Sequence, residues 1–239
     1  MNAPQAPHVA LRQARVAGLL YLAIIVCGVW SDGFVRSSLI VADEPTKTAA
    51  NIAATTSTFQ MSLVADSVMV LCDVALAVVL FLLLEPVSRA LALTAAAFRI
   101  VQSAVLGLNL LNQHLALVLI TAGGYELAPP ARDSLVLLFA QAQGHGYDIG
   151  LLFFGINCVL TGYLVFKSRF LPRAVGVLVA ASGPVYLVGS YLSLLAPHTA
   201  STFEIAYVLP LVAELSFCLW LLFKGIDTRA WPGRVAPSS

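Results

Sequence analysis

The sequence predicts an all-α, polytopic membrane protein: a six-helix transmembrane bundle with both termini cytoplasmic. Three observations predict it. The composition is 59% hydrophobic and only 10% charged, whereas soluble domains carry about a quarter charged residues. The chain divides into six long apolar segments, each near the roughly twenty residues that cross the hydrocarbon core of a bilayer. Lysine and arginine gather in alternate connections between these segments, which is the bias that orients membrane proteins.

In chain order, residues 1–13 read as a polar cytoplasmic leader, 14–225 as one six-helix domain and 226–239 as a cytoplasmic tail. The first span, 14–36, is preceded by Arg12 and carries Arg15. No small-x-small cleavage pattern follows Cys27, so it reads as an uncleaved helix. The connection from Ser37 to Ser57 holds Pro45 and an alanine-rich stretch from Thr48 to Thr55, which predicts a short helix at the membrane interface. Spans 59–84 and 90–121 are joined only through Glu85, Pro86, Val87 and Ser88, and so must be antiparallel neighbours. In the fourth span, 140–166, Gly146, Gly150 and Asn157 share a face that predicts close contact with a neighbouring helix. Pro184 in span 173–195 and Pro210 in span 204–224 are bends of the kind membrane helices tolerate. The residues from Trp231 onward read as a frayed polar tail.

One set of connections holds Arg12, Arg15, Arg89, Lys167, Arg169, Arg173, Lys224, Arg229 and Arg234, and the other only Arg36, Lys47 and Arg132. The second side is acidic, with Asp32, Asp43, Glu44, Glu126, Asp133 and Glu204. Both termini are therefore expected in the cytoplasm, the protein in the inner (plasma) membrane, and the lipid bilayer as its first partner. A net charge of +1 with no basic stripe leaves no electrostatic footprint for nucleic acid. Cys27, Cys72, Cys158 and Cys218 all fall inside spans without a C-x-x-C spacing, which suggests neither a zinc site nor a disulfide framework. No cofactor is implied.

Function is sought in the ionisable residues placed inside the spans, because intramembrane charges are costly and must face protein or water. Asp73 lies 12 residues before Glu85 and Arg99 lies 10 beyond Arg89, depths of about 18 and about 15 Å at 1.5 Å per residue. Asp73 is thus expected to pair with Arg99. Glu214, 10 residues before Lys224, reaches about the same level and is a second candidate partner.

Helical periodicity gathers further polar groups around this core. Arg99, Gln102, Asn109 and Gln113 share one face of the third span, and Asp66 and Asp73, seven apart, share a face of the second. Gln141, His145 and Asp148 form a like stripe on the fourth. Together they predict a polar seam that opens outward near Asp66, His145 and Asp148. His145 and Asp148 read as a hydrogen-bonded pair, since a metal would require three or four convergent ligands. Tyr147-Asp148 lacks the G-x-G-D partner sequence of an intramembrane aspartyl protease, so no catalytic residue is assigned.

Leu71-Cys72-Asp73-Val74-Ala75-Leu76, Phe98-Arg99 with Gln102 and Leu108-Asn109-Leu110, Tyr147-Asp148-Ile149-Gly150 with Phe153-Phe154-Gly155, Phe170-Leu171-Pro172-Arg173, and Glu214-Leu215 with Leu219-Trp220-Leu221 recur together in order. In these blocks the chain resembles the bacterial membrane-protein family catalogued as domain of unknown function 4386, from about Arg15 to Lys224. The resemblance implies a multi-helix membrane protein and brings no substrate, reaction or catalytic residue. Three function classes stay open: a small transporter-like or permeation protein handling a solute, proton or ion; a non-catalytic scaffold or sensor component acting through a partner; and a membrane-embedded lipid-modifying enzyme.

Overall fold

Four helices begin on proline, at Pro7, Pro45, Pro129 and Pro197. The first helical turn has no use for the N–H that proline lacks, and its fixed φ suits helix entry. The helix at Arg89 starts instead on Ser88, whose hydroxyl accepts from the Leu91 amide at 3.5 Å. In the computed structural model, which describes residues 6–122 and 127–232, these starts lead into long apolar helices. Six can cross a membrane: Pro7–Leu39, Thr56–Leu84, Arg89–Thr121, Pro129–Lys167, Arg173–Leu195 and Glu204–Lys224. No strand occurs among the described residues.

Each span packs on the next in sequence and the sixth packs on the first, so the six helices close a ring. Small residues set how closely they approach. Between the fourth and fifth spans, a Cβ on Gly162 would lie 2.3 Å from the Ala180 amide nitrogen, and one on Gly183 would lie 2.6 Å from the Gly155 carbonyl. The face of Gly146, Gly150 and Asn157 meets the third span: Gly146 admits the Asn109 amide, Gly150 admits Leu106, and Asn157 donates to the Ala95 carbonyl at 2.8 Å. The seam that closes the ring is equally tight. Gly18 lies against the Leu222 backbone, the Cys218 thiol donates to the Gly18 carbonyl at 3.4 Å, and Tyr21 meets Phe217 edge-on at 5.8 Å.

Several elements run further than the sequence pattern indicates. The first helix starts at Pro7 and reaches Leu39, with a π-helical stretch at Val29–Arg36 before its last turn. Arg36 is therefore a buried residue of a span, 4% exposed, and does not belong to a connecting loop. The fourth helix begins at Pro129, well before 140, and its 39 residues rise about 58 Å, well beyond the roughly 30 Å hydrocarbon core. Its extra turns are held by the short helix Pro45–Ala54, present where the loop sequence placed one. Ile52, Phe59, Leu117 and Val136 make a separate apolar cluster there.

At the other end of the bundle, Gly225 leaves the sixth helix at φ 68°, a conformation glycine adopts without strain. Beyond it the Asp227 amide donates to the Phe170 carbonyl at 2.9 Å, and Trp231 stacks edge-on against Phe170 at 4.7 Å. Trp231 is only 3% exposed. It anchors the start of the tail and is not part of a frayed one, because its large apolar surface finds the cleft beside the fourth-to-fifth connection. Residues 1–5 of the leader, 233–239 of the tail with Arg234, and Glu126 lie outside the described residues.

Candidate functional site

A charged plug lies within the ring. Arg99, on the third span, donates from Nε and Nη2 to Oδ1 of Asp73 on the second, at 2.8 and 2.5 Å. Ser103, one turn further along the third span, donates to the other oxygen, Oδ2, at 2.7 Å. Nη1 reaches the Asn157 amide oxygen at 3.5 Å. The rings of Tyr21 and Phe154 each lie 5.1 Å from the guanidinium carbon, close enough for cation–π attraction. Arg99 is 1% exposed and Asp73 3%. Four spans thus converge on one ion pair whose hydrogen-bonding capacity is nearly consumed.

Beside this plug lies a cavity of about 600 Å³ to which all six spans contribute. Asp73, Arg99 and Glu214 lie at its deep end. Asp32 and Glu204, both exposed, lie toward the end that carries the Pro45–Ala54 helix, with Asp148 among the lining between them. Glu204 and Glu214 are ten residues apart on the sixth span, so the cavity runs about 15 Å along the bundle. Aromatic rings line one wall: Phe154 lies 5.1 Å from Tyr186, and Tyr186 5.8 Å from Tyr207. Gly189 leaves room for the Tyr207 hydroxyl, which a Cβ there would strike at 2.2 Å.

Glu214 is not a second partner of Arg99. The half-buried carboxylate instead accepts a hydrogen bond from the Tyr186 hydroxyl on the fifth span, and no ion pair is found for it among the described residues. Asp148 accepts from Ser193 at 2.5 Å and not from His145. His145 and Gln141 are exposed and outside the cavity lining, so of the stripe expected on the fourth span only Asp148 reaches the cavity. The buried residue there is Gln143, whose backbone carbonyl accepts from Asn109 at 2.7 Å.

Asp66 belongs to a separate polar cluster and not to the outward opening of the seam. Arg36 donates to its carboxylate, to the Ser31 hydroxyl at 2.8 Å and to Asp32 at 3.1 Å. Gln113 extends the cluster by donating to Ser62 at 2.7 Å. Gln102 is 6% exposed and lines the cavity, and its Oε1 is a buried atom with no hydrogen-bond partner.

Residues absent from the sequence-based set include Ser103, Asn157, Tyr186, Arg36, Asp32, Glu204, Phe154 and Tyr207. Two of these carried a readable signal: Ser103 follows Arg99 by four on the same face, and Asp32 precedes Arg36 by four. Tyr186 carried none, since an aromatic in an apolar run reads as packing. No group of three His, Cys, Asp or Glu side chains among the described residues is placed to hold a metal ion.

An uncharacterised protein of Archaeoglobus fulgidus is 27% identical over 164 residues, which cover 69% of this chain and 83% of that one. No solved structure matches. The family model described as Domain of unknown function (DUF4386) matches residues 16–225. With that match spanning all the residues of the plug and the cavity, the chain belongs to the DUF4386 family.

Proposed function

We propose that this protein is a small transporter-like or permeation protein of the inner (plasma) membrane, with both termini cytoplasmic, and that its solute enters the cavity from the Asp32 and Glu204 end. One observation carries this reading: a largely apolar cavity set with carboxylates at the centre of a closed ring of spans, reaching from exposed Asp32 and Glu204 to Glu214 beside the plug. A central site near mid-bundle, built from helices on all sides, is where membrane transporters hold their cargo. The nearly saturated Arg99–Asp73 pair acts as the structural floor. Glu214, whose hydrogen bond comes only from the neutral Tyr186 hydroxyl, is the group free to exchange a proton or meet a cation.

The test is reconstitution into liposomes with a pH-sensitive dye inside and imposed proton and potassium gradients. Flux above that of protein-free vesicles is expected, and Glu214→Gln should reduce it at least tenfold while the protein still elutes as a folded species. Folded protein that passes nothing under any gradient would overturn the transport reading.

A further inference from the structure

The chemistry of the cavity wall selects among solutes by charge. Five carboxylates line it; Asp73 is paired with Arg99 and Asp32 with Arg36, while no ion pair is found among the described residues for Asp148, Glu204 and Glu214. The Arg99 guanidinium is already engaged: each of its three nitrogens is hydrogen-bonded, its charge is paired with Asp73, and the Tyr21 and Phe154 rings lie 5.1 Å from its carbon. An anion entering the cavity would meet the carboxylates of Asp148, Glu204 and Glu214, and a guanidinium whose charge is already paired with Asp73. A cation would find Glu214.

Size and surface narrow the class further. A volume of about 600 Å³ falls in the range of sites for small organic ligands, roughly 300–1,000 Å³, and far exceeds what a bare ion fills. The run of Phe154, Tyr186 and Tyr207 offers ring faces to a cationic head or an apolar body, and such faces attract desolvated cations. An independent sign of a ligand is Gln102. It is 6% exposed and among the residues that line the cavity, and its Oε1, out of reach of solvent, has no hydrogen-bond partner, a cost that turning the amide toward a bound solute would relieve.

We infer that the cavity binds a small organic cation, its charged head seated at Glu214, its apolar or aromatic body along Phe154, Tyr186 and Tyr207, and a polar group of the solute meeting Gln102. The inference rests on the transporter-like reading for the idea that the ligand is cargo, but binding is testable without flux.

The experiment measures equilibrium dialysis of radiolabelled tetraethylammonium, tetraphenylphosphonium and ethidium against the full-length protein in detergent micelles, with protein-free micelles as background and the anion 8-anilinonaphthalene-1-sulfonate as comparator. Saturable one-to-one binding of at least one cation is expected, with no saturable binding of the anion. Glu214→Gln should weaken that binding at least tenfold and Gln102→Leu about threefold. Should Glu214→Gln fail to fold, Tyr186→Ala, which removes a ring and a neutral hydroxyl, should weaken the bound cation severalfold. Absence of saturable binding by all three cations, preference for the anion, or a folded Glu214→Gln that binds as the wild type does would each overturn the inference. Bound cation without flux in liposomes would support it and count against transport. Proton or potassium flux without cation binding would do the reverse.

Discussion

At the level of single side chains, Arg99 and Asp73 are a buried pair whose partners come from different helices, so each depends on the other for charge compensation. Removing one member of such a pair typically costs about 3–5 kcal/mol, because it strands the other charge, whereas replacing both with apolar residues is often close to neutral. Asp73→Asn is therefore expected to lower thermal stability in detergent, followed by circular dichroism, far more than the double variant Asp73→Leu with Arg99→Met. A double variant less stable than the single one would show that the pair contributes more than mutual neutralisation. This pair was legible in the sequence because a four-residue connection forces two spans side by side, and rise per residue then fixes which depths meet. The partner of Glu214 was not legible. Depth places it level with Arg99, but which way a side chain turns from the sixth helix depends on rotation about the helix axis, and no short connection constrains that.

At the level of elements, the fourth span explains why polar stripes misled. Its apolar window is 56% buried, the largest share of any span, so neighbours lie on several faces and a residue half a turn off one stripe can still point inward. Asn157 does so, reaching both Ala95 and Arg99. The four-residue glycine spacing correctly marked a contact face, that toward the third span. The backbone-to-backbone approach of the fourth and fifth helices rests instead on Gly155 and Gly162 against Gly183 and Gly176. Glycines seven apart on two separate helices form no local motif, and only the fold brings them together. Gly162→Val is predicted to push these helices apart, at a cost of about 1–3 kcal/mol or more, read as a lower melting temperature and a smaller folded fraction on size exclusion. The same substitution at Gly144, where nothing lies within 4 Å of an added Cβ, should leave both measurements within error of the wild type.

On the scale of the whole molecule, the fold class and the count of spans were readable because hydrocarbon imposes length and polarity on every crossing helix. The cavity was not, since it is a property of how six helices enclose space, and none of its walls is encoded by one segment. Its charge has a direction: exposed Asp32 and Glu204 at the end with the Pro45–Ala54 helix, and Lys167, Arg169, Arg173 and Lys224 near the opposite end. If basic connections stay inside, a carboxy-terminal green fluorescent protein fusion should fluoresce and a carboxy-terminal alkaline phosphatase fusion should be inactive. The opposite pattern would invert the bundle and place the acidic mouth in the cytoplasm.

The seam where Gly18 meets Leu222 and Cys218 also bears on how the protein comes into being. The helix that carries Gly18 meets this neighbour only after some two hundred further positions have been synthesised. Until then the Tyr21 ring over Arg99 lacks the Phe217 that backs it, and the wall carrying Glu214 is missing. A nascent chain that ends short of this span would lack one wall of the vestibule, so the enclosure with its acidic mouth is among the last features to form.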